Sequence, residues 1–280
     1  MTKLKPPPIR RPVPKSATST GNKTFTVHAW TGENEGEKVL IYGPSGMGKT
    51  TLATTTPKPV FVGIDDGGRK IRNPITSEAL MAVNGVESFE DVRTVLQGNA
   101  LDGFETIVID TVTELQHMAL EATFHRVPAG KNQTAKTIED YGFHKGYRHW
   151  YDTMRLVLTD CDRHVRAGRN IVLLAQSRTI RRANAGGEDF LQEAPDLYHD
   201  KNVSILDVYK SWVDHVFKLD YANMVVDKGK AGSSNERAVY VHPEIHFIAK
   251  SRTISADYPV VSFSEPADDS IWKLVFGSDE

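Results

Sequence analysis

Residues 43–50 read Gly-Pro-Ser-Gly-Met-Gly-Lys-Thr, and they match the phosphate-binding pattern G-x-x-x-x-G-K-[ST]. The match follows the apolar run Val39–Tyr42 and precedes a short helical segment that ends before Pro57, so it has the strand-loop-helix context that the pattern requires. Glycines allow backbone N–H groups to turn inward around an anion, and the helix presents its positive end to the same anion. This stretch therefore predicts a phosphate site within an α/β fold.

Each part of this loop has an expected role. Lys49 is expected to bridge the β- and γ-phosphates of a nucleoside triphosphate, and the Thr50 hydroxyl is expected to bind Mg²⁺. The alternative is a purely structural glycine turn, but a chance match is expected only about once in a hundred chains of this length. The predicted nucleotide contacts are Gly43, Pro44, Ser45, Gly46, Met47, Gly48, Lys49, Thr50 and Thr51.

Carboxylates follow two other apolar runs. Asp110 ends the run Thr106–Asp110 and is predicted to hold Mg²⁺ opposite the loop, although a helix N-cap is the alternative reading of an acid at a strand end. Asp65 and Asp66 follow the strand-like run Pro59–Ile64, and either could orient or deprotonate an attacking water. The alternative for this pair is an Asp-Gly turn.

An amide ends a further run. Gln176 follows Asn170–Ala175, so it is expected at the carboxyl edge of the sheet, where open α/β sheets bind their ligands. A neutral amide at that edge can hydrogen-bond a γ-phosphate and report its loss to the segment that follows. This interpretation of Gln176 depends on its neighbours.

The apolar runs are short, rich in β-branched residues and not alternated with polar ones, which is typical of parallel strands buried on both faces. Helical patterns separate the runs: a capping box at Ser88 and Asp91, a helix over Val112–Phe124 and the longest helix over Thr137–Arg166. The alternation predicts a mostly parallel wound sheet flanked by helices. Additional C-terminal strands are predicted at Val213–Leu219, Val239–Val241, Ile245–Ala249, Val260–Phe263 and Ile271–Phe276.

Composition narrows the class of protein. A chain of 280 residues with 39% apolar and 25% charged residues is ordinary for a globular protein. No apolar run reaches membrane-spanning length and residues 1–24 lack the apolar core of a signal peptide, so we expect a soluble, cytoplasmic protein without a membrane partner. The single cysteine, Cys161, excludes an internal disulfide and a cysteine-based metal site. A net charge of −2 means that any nucleic-acid surface must be local.

The two ends of the chain carry opposite charges. Residues 1–24 form a predicted basic, proline-rich arm without acidic residues, and residues 264–280 form a predicted acidic tail. Residues 25–263 are assigned to one domain. The ends are either two solvated tails or segments that contact DNA or a neighbouring subunit.

The order of these motifs resembles that of the RecA-like ATPases, in particular the compact single-domain recombinases or annealing proteins of bacteriophages. The resemblance covers about residues 38–252 and includes the segment Ile-Val-Ile-Asp-Thr-Val-Thr-Glu-Leu that begins at Ile107. It implies a RecA-like P-loop NTPase core that uses ATP and Mg²⁺. Asp66 stands where the family commonly carries a Glu that activates water, and Gln176 matches the γ-phosphate sensor.

The resemblance also implies binding of single-stranded DNA through loops, one of them directly after the sensor. The segment 177–187 combines arginines with flexible glycines, which suits contact with phosphates and stacking on bases, although a solvated loop is the alternative. A second candidate loop is 126–136. The predicted DNA-binding residues are Arg178, Arg181, Arg182, Lys131 and Lys136.

Proteins of this kind complete the active site in trans, with a basic residue from the next subunit. The segment 248–252 resembles the place where the family carries that residue, so Lys250 and Arg252 are candidates, and the alternative is a pair of surface charges. The implied partners are further copies of this chain, in a filament or a ring, single-stranded DNA and a single-strand-binding protein.

These observations lead to one leading hypothesis, an ATP-dependent recombination or annealing protein that binds single-stranded DNA and assembles head to tail. A ring-forming helicase or another DNA motor shares the same core and is one alternative. A nucleotide-gated DNA-binding module with little hydrolysis is another, because Asp66 is shorter than Glu. The strand-like C-terminal third argues against the helical lid of an AAA+ remodelling ATPase. No guanine-reading Asn-Lys-x-Asp segment and no Leu-Ser-Gly-Gly-Gln segment is present, which argues against a GTPase and an ABC ATPase.

Overall fold

The core of the structure is a mixed sheet with helices on both faces. The computed structural model describes residue 32 and residues 34–64, 66–130, 133–184, 186–222, 224–227, 230–233 and 236–277. Residues from Asn34 onward belong to one compact unit. The predicted arm, residues 1–24, lies outside the described residues, so the predicted division into arm, domain and tail stays a prediction.

The described chain contains the following strands and helices. The strands are β1 (Lys38–Gly43), β2 (Pro59–Gly63), β3 (Thr106–Asp110), β4 (Pro128–Gly130), β5 (Gln133–Thr134), β6 (Asn170–Arg182), β7 (Phe190–Pro195), β8 (His215–Tyr221), β9 (Met224–Asp227), β10 (Lys230–Ser233), β11 (Arg237–Tyr240) and β12 (Val260–Phe263). The helices are α1 (Lys49–Thr54), α2 (Phe89–Gln97), α3 (Val112–Arg126), α4 (Lys145–Val165), α5 (Ile205–Trp212) and α6 (Ser270–Phe276).

The main sheet has the strand order β12-β11-β8-β1-β6-β3-β2, and β7 pairs with the distal part of β6. Strands β8, β1, β6, β3 and β2 pair in parallel, whereas β11 and β12 pair antiparallel at one edge. The predicted fold class, a mostly parallel wound sheet with further strands in the C-terminal part, is confirmed by this topology.

Burial on both faces explains why the central strands lack alternation. In β1, Leu40 and Tyr42 belong to one apolar core, which includes residues of helices α2 to α5. Val39 and Ile41 point to the other face and belong to a second core with residues of α1 and α6. Because each face is covered, all four side chains are removed from solvent, as expected for a central parallel strand.

Side-chain caps mark the start of the described helices α2, α3 and α5. The Ser88 hydroxyl accepts a hydrogen bond from the Asp91 amide (3.2 Å), so α2 begins where the capping box predicts. The predicted start of the longest helix at Thr137 is wrong, because Gly142, Phe143 and His144 have positive φ angles that no right-handed helix contains. A separate 3₁₀ turn spans Ile138–Tyr141, and α4 begins at Lys145.

Two of the predicted C-terminal strands are wrong. The segment 245–249 makes only isolated bridges, such as Glu193 with Phe247, and does not form a strand. The segment 271–276 is helix α6, in which Ile271, Trp272 and Val275 are buried at helical spacing. The described residues of the predicted acidic tail therefore include a helix that packs in the core. No described helix combines the length and the apolarity that a membrane crossing requires.

Helix α6 is held against α1 by one tryptophan. Trp272 is 3% exposed, and its indole N–H donates to the Leu52 carbonyl (2.9 Å) and to the Thr55 hydroxyl (3.0 Å). We expect Trp272→Ala to lower the free energy of unfolding by about 3–5 kcal/mol, because it leaves a cavity and removes both hydrogen bonds of the indole N–H. Leu274→Ala, on the exposed side of the same helix, should cost less than about 1 kcal/mol. Urea denaturation followed by circular dichroism measures both, and equal effects would contradict the docking of α6.

Candidate nucleotide-binding site

The glycine-rich loop joins β1 to α1 and has the geometry of a phosphate cradle. Gly46 and Gly48 have φ angles of 78° and 101°, which only glycine adopts without strain. A side chain at Gly43 would collide with the carbonyl oxygen of Leu219, and one at Gly48 would collide with the guanidinium of Arg237. The backbone conformation therefore requires glycine at Gly46 and Gly48, and the Leu219 carbonyl requires it at Gly43. This cradle fits a phosphate chain.

Lys49 folds back over the loop. Its side chain is 6% exposed, and its ammonium donates to the carbonyls of Gly43 (2.8 Å) and Pro44 (2.9 Å) and to the Oε1 of Gln176 (3.1 Å). Gln176 lies opposite Gly43 in the parallel pairing of β1 with β6. The structure thus brings the predicted phosphate lysine and the predicted sensor into direct contact.

Thr50 and Asp110 meet across the sheet edge. The Thr50 hydroxyl donates to the Oδ2 of Asp110 (2.7 Å), and Asp110 is 7% exposed at the end of β3. The residue that caps α3 is Thr111, whose hydroxyl accepts from the Glu114 amide (3.2 Å), so Asp110 is not the N-cap. A hydroxyl and a carboxylate are oxygen ligands of the kind that Mg²⁺ takes in phosphate sites. The pair fits the predicted metal site.

The segment after β2 lies beside Asp110. Gly63 pairs with Asp110 in register, and the Ile64 amide donates to the Asp110 carbonyl (2.9 Å). Asp66 begins a 3₁₀ turn that ends at Gly68, while Asp65 lies outside the described residues. Next to this turn is a cavity of about 380 Å³ that Asp110 also lines. The backbone of Asp66 therefore follows a strand that pairs with that of Asp110, and the role of Asp66 stays a prediction.

The predicted arginine loop is a β-hairpin instead. Strand β6 continues past Gln176 to Arg182 and pairs antiparallel with β7, which leaves the described residues 183–184 and 186–189 between the two strands. We call Ser177–Pro195 the arginine hairpin. Its Arg178 lies 3.6 Å from Asp196, Arg181 lies 2.9 Å from Asp189, and the Arg182 Nε donates to Gln192. The expectation of a flexible loop was wrong because the paired strand β7 was not recognised.

Gln176 is also bound to the base of this hairpin. The backbone N–H of Gln176 donates to the Thr113 hydroxyl (3.0 Å), and its backbone carbonyl accepts from the backbone N–H of Asp196 (2.7 Å). The Thr113 hydroxyl in turn donates to the Asp196 carbonyl (3.2 Å). Hydrogen bonds therefore join Lys49 to Gln176, and Gln176 to Thr113 and to Asp196, the residue that follows the arginine hairpin.

The second predicted DNA segment is only partly a loop. Within 126–136, β4 and β5 form a small antiparallel pair. Lys131 lies outside the described residues, and Lys136 is exposed, with its backbone N–H donating to Asp140 (2.8 Å). The assignment of these two lysines to DNA stays a prediction.

Lys250 and Arg252 lie near the amino ends of the parallel strands, whereas the P-loop of the same chain lies at their carboxyl ends. Lys250 bridges to Val216, near the amino end of β8, and its ammonium donates to the carbonyls of Lys210 (3.0 Å) and Val213 (2.6 Å). Arg252 pairs with Asp214 (2.7 Å). Contact of either residue with a nucleotide therefore requires a second copy of the chain, and that role stays a prediction.

Two further basic residues near the loop were missed by the sequence analysis. Lys218 is buried and pairs with Glu193 (2.8 Å) and Asp220 (3.0 Å); burial alone would lower its pKa, but these carboxylates raise it. A lysine inside an apolar strand run was the available signal for it. Arg237 opens β11 beside Gly48, and nothing in its local sequence indicates that position.

Lys250 has a structural role in the single chain, because it binds carbonyls at the end of α5, and burial lowers its pKa. We expect Lys250→Met to lower the free energy of unfolding by about 1–3 kcal/mol, since two carbonyls lose their donor. Lys145→Met, at an exposed position in the first turn of α4, should leave stability unchanged. Chemical denaturation measures both variants. An unchanged stability of Lys250→Met would show that the observed cap is not maintained in solution.

Solved structures of other proteins are similar to this chain. Among solved structures, the chain is similar to the flagellar accessory protein FlaH from Methanocaldococcus jannaschii, with a TM-score of 0.39, 12% identity and coverage of 73% of this chain and 77% of FlaH. It is also similar to the RadB recombinase, with a TM-score of 0.40, 13% identity and coverage of 74% and 80%.

A curated relative matches over a shorter stretch. The chain is 31% identical over 81 residues to the SPbeta prophage-derived uncharacterized protein YorG of Bacillus subtilis (strain 168). That match spans 28% of this chain and 24% of the relative.

A family model covers most of the chain. It is described as an AAA domain and matches residues 35–253, which include the P-loop, Asp110, Gln176 and the arginine hairpin. The strand-like C-terminal third of the sequence had argued against an AAA+ remodelling ATPase, whose lid is helical. The described residues after 212 do form strands and the short helix α6. Because the match covers well over half of the 280 residues, the chain belongs to the AAA domain family.

Proposed function

We propose that this chain binds and hydrolyses ATP with Mg²⁺ and uses the nucleotide to control its binding to single-stranded DNA, in recombination or strand annealing. The observation that carries the proposal is the hydrogen bond from Lys49 to Gln176, together with strand β6, which runs from Gln176 into the arginine hairpin. Gln176, which would sense the terminal phosphate, directly precedes the arginine hairpin in the chain. The hairpin carries the arginines Arg178, Arg181 and Arg182. The relative described as prophage-derived supports a phage origin.

The site residues suit in-line attack of water on the γ-phosphorus. Lys49 would stabilise charge on the β- and γ-phosphates, and the backbone of the loop would hold the rest of the phosphate chain. Mg²⁺ held by Thr50 and Asp110 would neutralise developing charge on the phosphates. Asp66 would position the water, and Lys250 or Arg252 of a neighbouring copy would complete the site.

Gln176 provides a physical route for coupling. Its Oε1 accepts from Lys49 in this structure, and a terminal phosphate would compete for the same ammonium. The backbone of Gln176 belongs to β6, so a shift of this residue moves the strand that continues as the arginine hairpin. Loss of the phosphate would then change the order of the hairpin, as in other order–disorder switches.

Head-to-tail assembly would bring the amino ends of the strands in one copy against the carboxyl ends of the strands in the next. The P-loop lies at the carboxyl end of β1, whereas Lys250 and Arg252 lie near the amino end of β8, which runs parallel to β1. A copy stacked on the next one would place these basic residues over its neighbour's nucleotide. Electron microscopy in ATP, with and without single-stranded DNA, distinguishes a filament from a closed ring.

ATP hydrolysis should depend on Lys49 and Asp110. We expect Lys49→Ala to lower the rate of phosphate release by at least about a hundredfold, because a charge that stabilises the transition state is lost. Asp110→Asn should abolish the Mg²⁺-dependent rate, and single-stranded DNA should raise the wild-type rate. Arg155→Ala, on the exposed face of α4, is the control and should match the wild type.

Two results would contradict this assignment of the site. Retained Mg²⁺-dependent turnover in Asp110→Asn would remove Asp110 from the metal site, and a wild-type rate indifferent to DNA would count against coupling. A single-turnover measurement separates slow hydrolysis from a module that binds ATP without cleaving it.

The arginine hairpin should bind single-stranded DNA. Its Arg181 side chain is 76% exposed, and ion pairs this exposed are weak enough for a DNA phosphate to replace. We expect the triple variant Arg178→Ala, Arg181→Ala, Arg182→Ala to reduce the slope of log affinity against log salt by about 2, since each lost phosphate contact contributes about 0.7. Fluorescence anisotropy with a labelled oligonucleotide measures this slope at several salt concentrations.

The matched control removes three exposed arginines elsewhere, namely Arg72, Arg148 and Arg155. It lowers the net charge of the chain by the same amount as the hairpin variant. An equal loss of affinity in the two triple variants would indicate a general charge effect and would contradict a DNA site on the hairpin.

A further inference from the structure

Arg237 occupies a place beside the P-loop that no sequence motif indicated. It is the first residue of β11, where its backbone pairs with Tyr221 of β8 and Phe263 of β12. Its guanidinium lies where a side chain of Gly48 would be, so the charged group is in contact with the last glycine of the loop. Lys49 and Thr50 follow directly after that glycine.

The guanidinium of Arg237 differs from the other basic groups near the site. Lys218 pairs with Glu193 and Asp220, and Arg178 pairs with Asp196. Within the described part of the chain, by contrast, no hydrogen bond or ion pair joins the Arg237 side chain to another residue. Arg237 is half-buried, and a partly desolvated guanidinium without a protein partner is costly unless an anion pairs with it.

The position of β11 defines which side of the loop Arg237 occupies. Asp110 reaches Thr50 from β3, which is two strands from β1 on one side of the sheet. Arg237 reaches Gly48 from β11, which is two strands from β1 on the other side. The loop therefore has an acidic, metal-binding wall on one side and a basic wall on the other.

We propose that Arg237 binds the phosphate chain of a nucleotide held in the P-loop of the same chain, on the side opposite to Thr50 and Asp110. The inference rests on the proposed function, because it requires a nucleotide in this loop. Gln176 and Lys49 meet on the wall that faces the predicted terminal phosphate. Arg237 contacts Gly48 and not Gln176, so we assign it to a phosphate that ADP retains after hydrolysis.

The test measures nucleotide affinity of the full chain by isothermal titration calorimetry, with ADP and with a nonhydrolysable ATP analogue. We expect Arg237→Gln to weaken both ligands by a similar factor of about ten or more, the size expected for loss of a hydrogen bond to a charged group. Arg237→Lys should retain most of the affinity, because the ammonium keeps the charge. Arg155→Gln is the control on an exposed helix face, and thermal unfolding without nucleotide reports the fold of each variant.

Each other outcome overturns a distinct statement. If the wild type binds both nucleotides and Arg237→Gln binds them equally well, the role of Arg237 is wrong while the proposed function stands. A loss for the ATP analogue alone would place Arg237 at the terminal phosphate and overturn the assignment to the opposite wall. Parallel losses of affinity and of melting temperature in both Arg237 variants would show a merely structural role. A wild type that binds neither nucleotide would refute the proposed function itself.

Discussion

The register between β1 and β6 is the constraint on which the site depends. Because the two strands pair in parallel with Gly43 opposite Gln176, the start of the P-loop lies beside Gln176 at the carboxyl ends of the two strands. The Lys49 ammonium can then reach carbonyls of its own loop and the amide of the next strand at once. A shift of one residue would turn Gln176 to the other face of the sheet and separate it from the lysine.

Strand β6 also connects the site to the arginine hairpin. Strand β6 continues past Gln176 into the arginine hairpin, and Asp196, the residue after that hairpin, is hydrogen-bonded to Gln176 and Thr113. A rigid strand transmits displacement better than a loop would, since its backbone groups are paired. The hairpin is therefore joined to Gln176 by paired strands, where its glycines had suggested a flexible segment.

Much of the central sheet and the core of the site could be predicted from sequence because their signals are local. A strand buried on both faces reads as an unbroken apolar run, and the P-loop pattern fixes the glycines, Lys49 and Thr50 within eight residues. Features set by distant partners were not predictable. The Ser177–Arg182 part of β6 is a strand because β7 pairs with it, and α6 was misread because its short apolar run fits both periodicities. Arg237 and the cap formed by Lys250 depend on which strands become neighbours, so no local pattern reveals them.

The contact between Trp272 and α1 has a consequence for the order in which the chain acquires its structure. The indole N–H binds the carbonyl of Leu52, a residue 220 positions earlier in the chain, at the helix that carries Lys49 and Thr50. During synthesis the amino-terminal strands and the P-loop leave the ribosome long before this partner exists. The helix behind the cradle therefore reaches its final packing only after residue 272 has emerged, which delays a fully formed nucleotide site until late in translation.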